Sequence, residues 1–215
     1  PWTVSTTTSG IVSVTASGID LAGNAYVAGT QSLTFTIDTT APTVTLTDTD
    51  SDNLVSGSNV VTITATFSES MAATPTINIT GEVSNALMTA SSTASVWIYP
   101  WTVSTTTSGI VSATVSGSDI SGKSYSGTDS ITFTIDNTAP TVTLTDTDSD
   151  NLVSGSNVVT ITATFSESMA ATPTINITGE VSNTLMTASS TANTWFYRWA
   201  VEESFNGIGY ATVSG

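Results

Sequence analysis

Carboxylates placed two residues apart are the feature of this 215-residue chain that most invites chemistry. Asp48, Asp50 and Asp52 alternate with Thr49 and Ser51, and the run returns unchanged at Asp146, Asp148 and Asp150. In an extended segment alternate side chains point to one side, about 7 Å apart. Three negative charges at that spacing repel unless a cation sits among them. The chain has only two cationic side chains, Lys123 and Arg198, against 17 carboxylates. A hard divalent ion such as Ca2+, which takes about six to eight oxygens, resolves the repulsion. Glu69 with its repeat Glu167, and Asp38 and Asp136, which precede the two Thr-Ala-Pro segments, are further oxygen donors of the same type. The segment starts like an EF-hand loop but has neither that loop's glycine nor its closing glutamate, so the motif itself is absent. The competing reading is a solvated acidic loop that keeps the chain soluble, and the sequence leaves both open.

A second pair of acidic positions lies in the stretches from Ser17 to Asn24, SGIDLAGN, and from Ser116 to Lys123, SGSDISGK. Asp20 and Asp119 occupy the same place in each. An aspartate followed by glycine is ordinary turn chemistry, and the turn reading is favoured here. As ligands, these aspartates would join the seam aspartates. Lys123 in place of Asn24 counts against a shared metal site at that position.

Trp97, Tyr99 and Trp101 form an alternating aromatic row, matched by Trp195, Tyr197 and Trp199. Such rows stack on sugars in some proteins, but more often they fill a core or cover an edge, and that is the favoured reading. Asn78-Ile79-Thr80 and Asn176-Ile177-Thr178 fit the glycosylation pattern, yet both fall mid-strand and are discounted.

Nothing points to an enzyme. There is no histidine, no cysteine, no nucleophile elbow, no phosphate-binding loop and no zinc motif. The net charge of −15 excludes a nucleic-acid partner, since no basic footprint exists to neutralise phosphates, and it disfavours anionic membrane surfaces. Charged residues make up 9% of the chain, far below the roughly 25% of ordinary soluble proteins, and serine and threonine supply the polar surface instead. No apolar run is long enough to span a bilayer as a helix.

These residues are positioned by a repeat. The segment from Ala41 to Asn85 recurs without a change at 139–183, and PWTVSTTTSGIV at Pro1 recurs at Pro100 and, in altered form, at Arg198. A period near 100 residues is the size of an autonomous domain, too long for a solenoid unit. The seams are Thr39-Thr40-Ala41-Pro42 and Asn137-Thr138-Ala139-Pro140, where proline forces an extended break between strand-like runs. On that phase, 1–38 is the C-terminal part of one repeat, 39–137 a complete repeat, and 138–215 the N-terminal part of a third. The chain then reads as a segment of a longer tandem array.

Period-two alternation dominates and no helical period is found. Val44 and Leu46; Val61, Ile63, Ala65 and Phe67; Ile77 and Ile79; a short strand at Leu87 and Met88; Trp97, Tyr99, Trp101 and Val103; Val111, Ala113 and Val115; and Ile131, Phe133 and Ile135 each mark one apolar face. About seven strands per repeat, each with one apolar face, predict an all-β chain of tandem immunoglobulin-like β-sandwiches without a disulfide. Threonine on the outer faces suits a pleated surface. Pro100, which cannot donate to a ladder, predicts an edge or a bulge in the aromatic strand.

The seam IDTTAPTVTLT, the following VVTITATFSES and the SGIDLAGNAY turn resemble the bacterial Ig-like repeats of giant surface and biofilm adhesins. The resemblance covers essentially the whole chain. It implies an extracellular, cell-surface stalk exported by type I secretion, with calcium at domain junctions. Asp38 or Asp136 would then be the linker ligand, with Asp20 or Asp119 nearby. The partners implied are neighbouring repeats of the same or an identical chain, with any surface glycan or host ligand bound by other domains. Two alternatives remain open: a fibre subunit completed by strand addition between chains, and a carbohydrate-binding module.

Overall fold

In a computed structural model, residues 2–4, 7–26, 32–204 and 206–215 are described, and among them there are strands and no helix. The alternation of branched apolar residues with threonine yields β1 (Gly10–Thr15), β2 (Ser32–Ile37), β3 (Val44–Thr47), β4 (Leu54–Val55), β5 (Val60–Phe67), β6 (Thr76–Ile79), β7 (Val83–Leu87), β8 (Thr89–Ala90) and β9 (Val96–Thr102). These are followed by β10 (Gly109–Ser116), β11 (Ser130–Ile135), β12 (Val142–Asp146), β13 (Val158–Phe165), β14 (Thr174–Ile177), β15 (Val181–Leu185), β16 (Thr187–Ala188), β17 (Thr194–Ala200) and β18 (Ala211–Ser214). The chain divides into two compact units, Pro1–Asn137 and Thr138–Gly215.

The first unit contains an antiparallel hairpin, β1–β2, running from Gly10 opposite Ile37 to Thr15 opposite Ser32. It also contains two larger sheets, ordered β3-β5-β9-β8 and β4-β11-β10-β6-β7. All pairs are antiparallel except β4 with β11, which sets Leu54 beside Thr134 and Val55 beside Ile135. Both sheets feed one core. Val61, Ile63, Ala65, Phe67 and Trp101 come from one; Ile77, Ile79, Val111, Ala113 and Phe133 come from the other. Two sheets closing on a shared apolar layer is the arrangement of a β-sandwich. β5 shows why the sequence forces it, because Val61, Ile63, Ala65 and Phe67 are buried while the residues between them are not.

The chain changes sheet at Met88. β7 pairs with β6 and β8 pairs with β9. Between them Met88 donates its N–H to the Pro75 carbonyl at 3.0 Å, and its side chain is buried. The short strand expected at Leu87 and Met88 is thus two strands with a crossing. Pro100 faces Thr62 of β5, while β8 reaches only Ile98 and Trp97 on the other side of β9. Beyond Ile98 that side of β9 carries no strand among the described residues, so a missing amide hydrogen is tolerated there.

The second unit repeats the pattern in sheets β12-β13-β17-β16 and β15-β14-β18. Its core gathers Val159, Ile161, Ala163, Phe165, Ile175, Ile177 and Met186. Leu152 and Val153, which copy β4 in sequence, are not in a strand, and no strand among the described residues lies beyond β18. Trp199 and Val153 are accordingly half-buried, where Trp101 and Val55 are each 2% exposed.

Candidate functional site

Three strand ends of the first unit deliver carboxylates to one place. Asp38 follows β2, Glu69 follows β5 after Ser68, and Asp119 sits in the turn after β10. One oxygen from each lies within 4.8 Å of the others, and this is the set of three acidic side chains that converges among the described residues. Asp119 is fastened most firmly. Its Oδ1 accepts the Lys123 N–H at 2.8 Å and the Ser121 hydroxyl at 2.7 Å. Its backbone N–H donates to the Lys123 carbonyl, and the Gly122 N–H donates back to its own carbonyl. The turn is docked on the segment after β5 by a bridge between Asp119 and Met71 and by the Ala72 N–H on the Ser118 carbonyl.

Asp119 is 1% exposed, and its second oxygen, Oδ2, is buried without a hydrogen-bond partner. The equivalent turn at Asp20 explains how this arises. There Oδ1 accepts the Ala22 and Asn24 N–H groups, each at 2.8 Å, and Oδ2 accepts the Asn24 side-chain amide at 3.0 Å. Lys123 stands where Asn24 does and has no amide to offer, so the second oxygen of Asp119 is left over. An unpaired carboxylate oxygen away from water is costly unless something positive meets it.

The electrostatics agree with crowding. Burial, then the charges of Asp38 and Asp119, push the Glu69 carboxyl above its ordinary value. Burial acts upward on Asp119 as the largest single effect, but hydrogen bonds from Ser121, Lys123 and Gly122 together bring it below its ordinary value. Asp20 is also held low, first by the Asn24 side chain. Three carboxylates, one of which also has a buried oxygen without a partner, form a hard-oxygen donor set suited to Ca2+ or Mg2+ rather than to a softer metal.

The alternating aspartates are used differently. Asp48 Oδ1 accepts the Asp50 N–H at 2.8 Å, Asp50 Oδ2 accepts the Asp52 N–H at 3.4 Å, and Asp52 Oδ1 accepts the Leu54 N–H at 3.0 Å. Each carboxylate caps the backbone two residues on, a chain of Asx turns that ends at Asn53 in the left-handed region. Asp146 and Asp150 repeat the outer two bonds, to Asp148 and Leu152. Asp136 donates its N–H to the Val55 carbonyl, alongside the β4–β11 pairing. In the second unit Glu167 Oε1 and Asp148 Oδ2 are buried without partners.

The aromatic rows lie against the cores. Trp101 is buried beside Phe133, ring centroids 5.2 Å apart, while Trp97 and Tyr99 are half-buried against the same cluster. The Asn78 amide is occupied in the β6–β7 bulge, accepting the Asn85 N–H at 2.9 Å.

Two residues that sequence reasoning passed over hold the loops around these elements. Asn137 Oδ1 accepts the Gly57 N–H, and its amide donates to the Ser104 and Thr107 carbonyls. Glu82 Oε2 accepts both the Trp101 indole N–H and the Ser104 N–H. The signal for Glu82 was present in the sequence: Gly-Glu after β6 recurs at Gly179-Glu180, always with a tryptophan downstream. No protein-family model matches the chain, and no curated protein matches it in sequence.

Proposed function

We propose that this chain is a run of tandem immunoglobulin-like repeats that serves as a stalk or filament segment of a bacterial surface adhesin, with Ca2+ held by Asp38, Glu69 and Asp119. Its work is mechanical. Each repeat is a rigid bead of paired sheets, and reach is set by the number of beads. The observation that carries the metal part is the buried, unpartnered Oδ2 of Asp119, in a carboxylate set that Asp38 and Glu69 complete. Asp38 directly follows the β1–β2 hairpin, whereas Glu69 and Asp119 belong to the fold of 39–137. A cation bound by all three therefore removes rotational freedom at the seam and offsets the mutual repulsion of the three carboxylates. The extracellular, cell-surface setting rests on the resemblance to adhesin repeats and on the acidic, lysine-poor composition.

The test is a Ca2+ titration of the whole chain, read by thermal unfolding and by small-angle scattering, with Mg2+ in parallel and Asp119→Asn as control. Ca2+ is expected to raise Tm and narrow the distribution of maximum dimension, and the variant to respond to neither ion. A wild-type chain indifferent to Ca2+ in both readouts overturns the metal reading.

A further inference from the structure

The turns that carry Asp20 and Asp119 share one backbone. In each, the aspartate N–H donates to the carbonyl four residues on, Asn24 or Lys123, at 2.9 Å. The Gly23 N–H returns to the Asp20 carbonyl at 3.0 Å, and the Gly122 N–H to the Asp119 carbonyl at 3.1 Å. Gly23 and Gly122 have φ of 89° and 88°, the left-handed region that glycine tolerates. The Tyr26 N–H closes the first turn on the Gly18 carbonyl at 2.8 Å, and the Tyr125 N–H closes the second on the Gly117 carbonyl at 2.9 Å. Both aspartates accept the N–H four residues on through Oδ1, at 2.8 Å. All of these bonds lie within the turn, so the match is a property of the local chain. What differs is the fate of the second oxygen. The Asn24 amide donates to Asp20 Oδ2 at 3.0 Å. Asp119 Oδ2 is buried with no partner, so the Lys123 ammonium does not meet it.

We propose that position 123 decides whether the seam carboxylates can take a cation: an asparagine amide there occupies the oxygen the ion needs, and lysine leaves it open. The inference rests on the cation reading of Asp38, Glu69 and Asp119. With the backbone already matched, an asparagine at 123 places its amide over Asp119 Oδ2 as Asn24 places its own over Asp20 Oδ2. The carboxylate then has both oxygens committed to its own turn, and a cation has to break a hydrogen bond to a charged acceptor before it can bind. Lysine has no such amide. Its positive charge stands nearby and opposes a second cation, but the oxygen itself stays available. Lys123 is therefore a specificity-determining residue that touches no ion. Repeats that differ at this one position differ in whether their seam stiffens with Ca2+, so stiffness along a run of repeats is set by one residue in each.

The experiment is a calorimetric Ca2+ titration of the full chain as wild type, Lys123→Asn and Lys123→Met, with Tm in chelator measured for each. On charge alone both substitutions should tighten Ca2+ binding, because each removes a positive charge beside the three carboxylates. An amide over Asp119 Oδ2 reverses that sign for asparagine only. Lys123→Asn is expected to weaken Ca2+ binding about tenfold, equivalent to about 1.4 kcal/mol and close to one hydrogen bond to a charged acceptor. Lys123→Met is expected to bind at least as tightly as wild type. In chelator, Lys123→Asn should melt above wild type, since it gives the buried oxygen a donor, and adding Asp119→Asn should abolish the gain. A Lys123→Asn chain that binds Ca2+ as tightly as Lys123→Met overturns the gating and leaves the cation reading standing. A Lys123→Asn chain with no gain of Tm in chelator overturns it too, because the amide then does not reach the oxygen. A wild type that binds no Ca2+ removes the cation reading itself, and the gating with it.

Discussion

The Trp101 indole N–H donates to Glu82 Oε2 at 3.3 Å, and Trp199 repeats the bond to Glu180 Oε2 at 3.0 Å. Both tryptophans lie 19 residues beyond their glutamate and on a different sheet. The pair therefore ties the tight turn between β6 and β7 to the aromatic strand across the sandwich. The Ser104 N–H joins the same oxygen at 3.0 Å, so one carboxylate satisfies two donors that the fold would otherwise orphan. Hydrogen bonds to a charged acceptor contribute about 1.5–3 kcal/mol each when partly buried. Glu82→Ala is expected to lower stability in urea unfolding by about 2–3 kcal/mol, with Glu82→Gln costing less because an acceptor remains. Glu180→Ala should cost less than Glu82→Ala, since Trp199 is only half-buried while Trp101 is 2% exposed. Equal losses at the two sites would show that burial of the indole does not set the value of the bond.

Asn137 makes a second tie with a measurable consequence. Its side chain takes the Gly57 N–H and gives its amide protons to the Ser104 and Thr107 carbonyls, joining the turn before β5, the loop after β9 and the end of β11. Gly57 lies so close that an added Cβ would sit 2.7 Å from Thr105 Cα and 2.9 Å from Asn137 Oδ1. Asn137→Ala removes three bonds at once and is expected to cost about 2–3 kcal/mol. Gly57→Ala should cost about 1–3 kcal/mol through overpacking. The two substitutions share the contact, so in a double-mutant cycle their costs should fall short of additive. Strict additivity would argue that Asn137 and Gly57 act independently.

The strands were legible because their faces repeat every second residue, as in β5 and β11, and burial follows that alternation directly. β4 was not legible. Leu54-Val55 and Leu152-Val153 have the same neighbours in sequence, yet only the first pair is a strand. What makes it one is β11, about 80 residues on, so the cause is nonlocal and no local pattern records it. The backbone role of the acidic run was illegible for a related reason. Counting charges along an extended segment ignores the backbone N–H groups two residues ahead, which the carboxylates of Asp48 and Asp52 meet. The turn role of Asp119 was readable from its glycine, but the burial of its second oxygen depends on the packing of its turn against the segment after β5. Glu69 and Asp38 were named as donors from residue type and seam position, while their convergence with Asp119 is a product of the tertiary fold.

Core value can be compared at two phenylalanines of nearly identical sequence setting. Phe133 is fully buried and packs on Trp101, whereas Phe35 is 45% exposed and meets Trp2, ring centroids 5.9 Å apart. Phe133→Ala is expected to cost about 3–5 kcal/mol, the usual loss for a buried aromatic with the cavity it leaves. Phe35→Ala should leave the main unfolding transition of the dilute monomer almost unchanged. A large loss at Phe35 under those dilute conditions would mean that the hairpin is packed against the rest of its own chain.

Acid should reveal Glu69 and Asp119 with opposite signs. Burial and the charges of Asp38 and Asp119 hold the Glu69 carboxyl above its ordinary value. The folded chain therefore binds that proton more tightly than the unfolded chain does, and ionised Glu69 works against folding at neutral pH. That penalty is relieved as pH falls through the raised folded value. For Asp119 burial pushes upward, but the hydrogen bonds from Ser121, Lys123 and Gly122 outweigh it and the net direction is down. Its stabilising contribution is present above the ordinary aspartate value and disappears only as pH falls through the lower folded one. With chelator present, Tm should rise on mild acidification and fall again in stronger acid, and Glu69→Gln should flatten the rise while leaving the fall. With Ca2+ present the sign on the Glu69 side reverses, because protons compete with the cation for the same oxygens. The increment in Tm from Ca2+ should therefore shrink as pH drops through the Glu69 transition, and Glu69→Gln should remove that dependence. A Ca2+ increment that is the same at neutral and mildly acidic pH would place the ion, if one binds, away from Glu69.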